Sequence, residues 1–354
     1  MSQASETVAG RTAARPQPAR PLWQTVLLSE YLVLALTVLY VALMAPLVPE
    51  LLTLATWSDI LAALMPLLVI AIGQTFVLIV AGIDLSATSV LAMASVVGAS
   101  LMTGDAGAAF AIANPIISIP VGIVAFLLVG AAVGAFNGAC TSRFNMPPFI
   151  VTLTTMMFFS GAAIWFTSLY TTSGSSIGNL PRAFSLIGQG KIAIAGFDLP
   201  VSIFVAAAIG IAAHLVLGHT LFGRWLYAIG LNPRAAEVSG VPVRRAIFWA
   251  FVISGACAGL AAILYTGRLE TGSPVLGQRI LLDVVGAAVI GGVSLFGGKG
   301  KIIWTLYGAL FLTVVDKGLQ LLGLSLASMF AIKGGVILAA AIVDAQRQRL
   351  FLRG

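Results

Sequence analysis

Apolar residues in this chain come in long, nearly unbroken runs rather than at amphipathic spacing. Ten runs read as bilayer crossings: residues 27–47, 59–81, 86–103, 115–138, 149–168, 201–219, 246–266, 283–296, 302–323 and 328–344. A crossing helix takes about 20 apolar residues. The third run is therefore short, and the eighth, with Gly286, Gly291 and Gly292, reads as broken or re-entrant. The pattern predicts an all-α, polytopic helical bundle of about ten transmembrane helices (eight to ten). Between the runs lie two long connections, 169–200 and 220–245. Residues 1–22 are polar and rich in Ala, Arg and Pro, which predicts a disordered tail ahead of one transmembrane domain, 23–354.

Composition gives the same result. Of 354 residues, 59% are hydrophobic and 9% charged, against roughly 25% charged in a soluble domain. Thirty-eight glycines among apolar runs suit helices packed through small residues. Two cysteines and two histidines are too few for a disulfide framework or a His-rich metal site.

A net charge of +7 raises nucleic acid as a partner, but the distribution favours a membrane topology. With the N-terminus inside, Arg11, Arg15, Arg20, Arg143, Arg224, Arg234, Arg244, Arg245, Lys299, Lys301, Arg347, Arg349 and Arg353 all fall on the cytoplasmic side. Arg182, Lys191, Arg268 and Arg279 fall outside. That bias has the sign of the positive-inside rule and places both termini in the cytoplasm. Segment 169–200 is then external, a docking or gating surface or a plain cap, and 220–245 is cytoplasmic.

Within 220–245, Asn232 is a helix N-cap, Pro233 suits the first helical position and Gly240 a helix stop, which predicts a short helix over Pro233–Ser239. Such a helix has no core of its own and suits either a partner's groove or the lipid headgroups. Charges inside spans are costly and carry a function by default. Thr313, Asp316, Lys317 and Gln320 repeat at i, i+3, i+4 and i+7 on the ninth span, and Lys333 on the tenth is within reach of Asp316. They read either as a polar wall at the mouth of a transport path or as an ion pair pinning two helices. Asp84, followed by Ser86, suits a cap on the third helix or a transport role. Gln74 and Thr75, mid-span, would bond either a polar solute or a neighbouring helix.

Catalytic constellations are missing from the sequence: there is no H-E-x-x-H motif and no nucleophile–base pair. Gly292 to Gly297 has the glycine spacing of a P-loop, but Gly298 stands where the lysine belongs. The reading is a transport protein, not an enzyme.

Several stretches together resemble the permeases of ribose-type ABC sugar importers. GLNPRAAEVSGV (230–241), after FGRWLYAIG (222–230), is similar to that family's coupling loop. IGQTFVLIVAGIDLSATSV (72–90), NMPPFIVTLTTM (145–156), VVGAAVIGGVSLFGGKGK (284–301) and AIKGGVILAAAIVD (331–344) are similar to its span signatures, in the same order. Departures occur at Ala87-Thr88-Ser89, where the family pattern runs Val-Gly-Ser, at Leu281, where it has Glu, and at Thr154, where it has Gly.

The resemblance implies a vitamin-B12-importer-like fold in the bacterial inner membrane, with a second permease copy (a homodimer or close paralogue). It implies import of a monosaccharide or related polyol, delivered by an external sugar-binding protein. It also implies partner ATPase subunits that use ATP and Mg, docked at Arg224, Asn232, Pro233, Arg234, Ala235, Ala236, Glu237, Ser239 and Gly240; this chain would bind no cofactor or metal itself. The alternative is a proton- or sodium-coupled transporter of a small polar solute, which needs an ion-coordinating residue at mid-membrane.

Overall fold

The computed structural model describes residues 31–104, 110–171 and 175–352. The expected tail, 1–22, and the start of the first run lie outside them. In chain order the elements are α1 (Leu32–Met44), α2 (Leu54–Ile79), α3 (Ala87–Met102), α4 (Pro115–Arg143) and α5 (Pro148–Ser168). After these come α6 (Arg182–Gln189) and a hairpin of β1 (Lys191–Ile194) and β2 (Phe197–Pro200). Next are α7 (Ser202–His219), α8 (Leu221–Leu231), α9 (Pro233–Val238) and α10 (Val243–Leu269), and last α11 (Leu281–Gly291), α12 (Ile302–Leu321) and α13 (Leu326–Leu352). Each of the ten apolar runs carries a helix. Six (α2, α4, α5, α7, α10 and α12) are long and apolar enough to cross a membrane; α1, α3, α11 and the apolar part of α13 are shorter.

Local chemistry sets the boundaries. Thr53 and Asn114 cap α2 and α4, their side-chain oxygens accepting from the N–H groups of Thr56 and Ile116, and prolines open α4 and α5. α2 is the axis of the bundle, packed against α7, α10, α11 and α12; 89% of its apolar window is buried, against 22% for α5 and α7. The peripheral helices turn large apolar side chains outward, among them Ile116, Leu128, Phe158, Trp165 and Ile211. Water would reject that surface and lipid accepts it.

α4 and α10 meet along a glycine seam. A Cβ on Gly130 would come 2.2 Å from the Gly255 carbonyl oxygen, one on Gly255 2.1 Å from that of Gly130, and one on Gly134 2.4 Å from that of Phe251. Glycines four apart let the two backbones touch, the small-residue packing expected where no hydrophobic effect draws helices together.

Two helices end at bends enclosed by neighbouring elements, one of them after only a half-span. α11 spans 11 residues, about 16 Å at 1.5 Å per residue and roughly half the ~30 Å hydrocarbon core. The eighth run therefore does not stay helical to residue 296: the helix ends at Gly292, φ +114°. Its continuation is held by neighbours, Gly298 N–H donating to Ile79 O at 2.9 Å and Tyr227 hydroxyl to Gly300 O at 2.7 Å. α2 likewise ends before the bend at residues 80–86, where Ala81 adopts φ +60° and Gly82 N–H donates to Val77 O at 2.9 Å. Non-helical backbone is tolerated at membrane depth where protein encloses it.

Within 169–200 the described residues include α6 and the hairpin, registered Lys191 to Pro200. Ser58 on the first turns of α2 donates its hydroxyl to Asp198 O at 2.5 Å, and Asp59 pairs with Lys191 at 3.6 Å. These contacts define a hairpin end of the bundle, opposite the end that carries α8 and α9.

Candidate functional site

At the α9 end, connection 220–245 folds into two helices, α8 being one that the pattern of polar residues does not reveal. Thr220 caps α8 by accepting from Gly223 N–H at 3.2 Å. α8 buries Gly223, Leu226 and Ile229, so Arg224 is carried on a packed element. Burial also pushes the Tyr227 phenol above its ordinary range.

Asn232 is the N-cap of α9, its Oδ1 accepting from Ala235 N–H at 3.1 Å, with Pro233 at the first position. The helix ends at Val238, Ser239 is its C-cap, and Gly240 adopts φ +84°. Arg234, Ala235, Glu237, Val238 and Ser239 are exposed. Ala236 corrects the sequence reading: at 4% exposure it packs inward, against the chain's own core, and is not part of the presented surface.

Gln74, Thr75 and Asp84 belong to the framework of the bend after α2. The Gln74 amide donates to Asp84 O at 3.0 Å and accepts from Asp84 N–H at 3.2 Å. Asp84 Oδ1 accepts from Ser86 N–H at 3.0 Å and Ser86 Oγ at 2.6 Å, and its Oδ2 accepts from Ser254 Oγ on α10 at 2.7 Å. Asn137 on α4 donates to Ser86 Oγ at 2.7 Å. The carboxylate thus ties the start of α3 to α10 and α4 and is fully enclosed. Thr75 donates to Ala71 O at 2.9 Å and lies 2.7 Å from Thr305 Oγ1 on α12. Gln74 and Thr75 thus bond neighbouring elements of the chain, while Asp84 holds the Ser86 N–H just ahead of α3, although the N-cap residue itself is Ser86.

The polar residues of α12 diverge instead of forming one wall. Thr313 is buried and donates to Ala309 O at 2.8 Å, and Gln320 is exposed. Lys317 pairs with Asp59 on α2 at 3.3 Å. Asp316 lies 3.2 Å from Lys333, but a second carboxylate is closer, Asp283 on the first turn of α11 at 2.9 Å. Lys333 is therefore shared by three-helix packing (α11, α12 and α13), and Asp283 is the member the sequence reading missed.

None of these side chains lines the cavity of about 160 Å³ between α3, α5 and segment 274–281. Its polar lining is Thr88, Ser89, Ser160 and Gln278, and its apolar lining includes Met156 and Leu281.

The chain matches, over residues 56–341, the family described as branched-chain amino acid transport system, permease component. It belongs to that family. It is 32% identical to the ribose import permease of Escherichia coli K12 over 344 residues, 97% of this chain and 99% of that protein. The galactose/methyl galactoside import permease of Haemophilus influenzae Rd is 34% identical over 300 residues, 84% of this chain and 88% of that one. The D-allose transport system permease of Escherichia coli K12 is 32% identical over 275 residues, 78% of each. No solved structure matches the chain.

This permease is a multi-pass membrane protein, and its relatives are transport components. Within it, sequence reasoning selected charged and polar residues in spans because they are costly there, and cost is met equally well by structural pairing. The cavity residues carried a different signal: Thr88 and Leu281 are two of the positions where the resemblance to ribose-type permeases breaks.

Proposed function

We propose that this chain is the permease subunit of an ATP-driven importer that brings a monosaccharide or related polyol into the cytoplasm. Near full-length similarity to ribose, galactose and allose import permeases carries this reading. In it, the exposed face of α9 docks an ATPase subunit that uses ATP and Mg, and a second permease copy completes the transmembrane unit. An external binding protein delivers the sugar to the hairpin end, and both termini lie in the cytoplasm of a bacterial inner membrane. α9 is suited to transmit force because its ends are fixed, by the Asn232 cap and the Gly240 stop, while its outer face is free. No bond chemistry falls to this chain.

The ion-coupled alternative needs a carboxylate with room for a cation. Asp84, the most enclosed one, already accepts three hydrogen bonds from protein donors, which supports the importer. The test is reconstitution in proteoliposomes, assaying labelled D-ribose, D-galactose and D-allose. Concentrative uptake is expected with ATPase, binding protein and ATP together. Uptake by this chain alone under a proton or sodium gradient would overturn the proposal.

A further inference from the structure

The cavity beside α3 has a wall built from backbone. Segment 270–280 leaves α10, and Gly272 exchanges two hydrogen bonds with Ile177, 2.8 Å in each direction. Ser273 N–H donates to Ser95 Oγ at 3.3 Å. A Cβ on Gly272 would come 2.4 Å from Ala99 Cβ, and one on Gly277 2.0 Å from Thr88 O. The segment therefore runs along α3 from Ala99 to Thr88 in direct backbone contact. Its side chains face α5 across a space of about 160 Å³, well above the ~10–15 Å³ that admits one water.

Three separate elements line that space with polar residues: buried Thr88 from α3, half-buried Ser160 from α5 and exposed Gln278 from the segment. Among the described residues, none of these three side chains has a protein hydrogen-bond partner. Thr88 is 4% exposed as a residue and lines the cavity, so its hydroxyl is left for whatever occupies that space. Met156, Pro274 and Leu281 give the same cavity an apolar side. Convergent polar groups over an apolar wall suit a molecule with a hydroxyl rim and a C–H face. No charged side chain lines the space, so a carboxylated, phosphorylated or amino sugar would enter without a counter-charge. Thr88 also stands where the ribose-type pattern that this chain resembles has glycine.

We infer that this cavity is a cargo-binding station of the permease, taking a neutral polyhydroxylated solute through Thr88, Ser160 and Gln278. The inference rests on the importer reading and adds the residues that touch the solute. It is tested in the complete importer in proteoliposomes, with Thr88→Val, Thr88→Ser, Ser160→Ala and Gln278→Ala, and with labelled D-ribose, D-galactose and D-allose as probes. Two readouts are taken: uptake, and stimulation of ATP hydrolysis by the sugar-loaded binding protein. Loss of one solute hydrogen bond should lower uptake about fivefold to tenfold in the Val and Ala variants, with ATPase stimulation and complex yield unchanged. Thr88→Ser, which keeps the hydroxyl, should restore it. Wild-type uptake in all variants, or uptake falling together with complex yield and not rescued by serine, overturns the cavity assignment and leaves the importer reading standing. If the wild-type importer moves none of the sugars with ATP, the importer reading is what fails.

Discussion

Lys333 sits between two carboxylates that differ in exposure, and that difference sets a ranked stability test. It lies 2.9 Å from Asp283 and 3.2 Å from Asp316; the Lys333 and Asp283 side chains are 8% and 12% exposed and that of Asp316 is 47% exposed. Lys333→Met strands the buried Asp283 charge beside another carboxylate, and breaking a buried pair this way costs about 3–5 kcal/mol. Asp283→Asn keeps the shape and leaves Lys333 its contact with Asp316, so the cost is that of one charge-assisted hydrogen bond, about 1.5–3 kcal/mol. Asp316→Asn removes a half-exposed pair worth about 0–1 kcal/mol. Asp283→Asn combined with Lys333→Met removes both buried charges and should be at least ~2 kcal/mol more stable than the sum of the singles predicts. Unfolding free energies come from SDS titration of the purified chain in mixed micelles, followed by circular dichroism. Additivity within ~0.5 kcal/mol, or a larger cost for Asp316→Asn than for Asp283→Asn, would refute the reasoning.

The glycine seam predicts that Gly130→Leu drives α4 from α10, because its Cβ already meets the Gly255 carbonyl at 2.2 Å. The cost should reach or exceed ~3 kcal/mol, the upper end for overpacking, and appear as loss of monodisperse protein in size-exclusion chromatography. Gly161→Ala on α5, with nothing within 4 Å of its added Cβ, should keep full yield. On α9, Val238→Asp, at a position 91% exposed, should leave folding intact and abolish co-purification of the ATPase. Ala236→Asp should instead lower folded yield, because it buries a carboxylate within this chain. Comparing yield with retained ATPase separates the two.

How much of this was legible in the sequence depends on the kind of signal. Spans were legible because an apolar run in lipid needs no partner to be recognised, and α9 because Asn232, Pro233 and Gly240 act locally. α8 was not, since its buried stripe of Gly223, Leu226 and Ile229 faces the chain's own spans and only packing reveals it. The Asp316–Lys333 contact was legible from helical spacing and depth. Asp283 was not, because its position depends on where α11 starts, and that is set by the path of segment 270–280 along α3. The cavity arises from the same path, so no local pattern reports it.

That dependence on backbone meeting backbone also bears on a likeness inside the chain, Gly82-Ile83-Asp84-Leu85 against Gly292-Val293-Ser294-Leu295. Both stretches follow the end of a helix, α2 and α11, and both precede one that returns toward the hairpin end, α3 and α12. They are also neighbours. Gly298 N–H donates to Ile79 O at 2.9 Å, a Cβ on Gly297 would come 2.9 Å from Ala81, and Leu78 shares a buried cluster with Ala288, Val289 and Val293. Each break leaves helix-end carbonyls that lipid cannot satisfy, and at Ile79 the partner comes from the other break. Two helices running the same way thus end side by side, and the bend after α11 closes a hydrogen bond left open at the end of α2. The residues in common follow from that common geometry. Glycine stands where the chain bends sharply, and a buried Asp84 or Ser294 has a side chain that accepts from the N–H two residues on, at Ser86 and Phe296. An inverted repeat would set such breaks in opposite directions, and these run in parallel. Gly230 of α8 lies against the same junction, its Cβ position 1.9 Å from Ile79 O and 2.3 Å from Gly298 N. The helix that leads into α9 is therefore seated on the paired breaks in direct backbone contact.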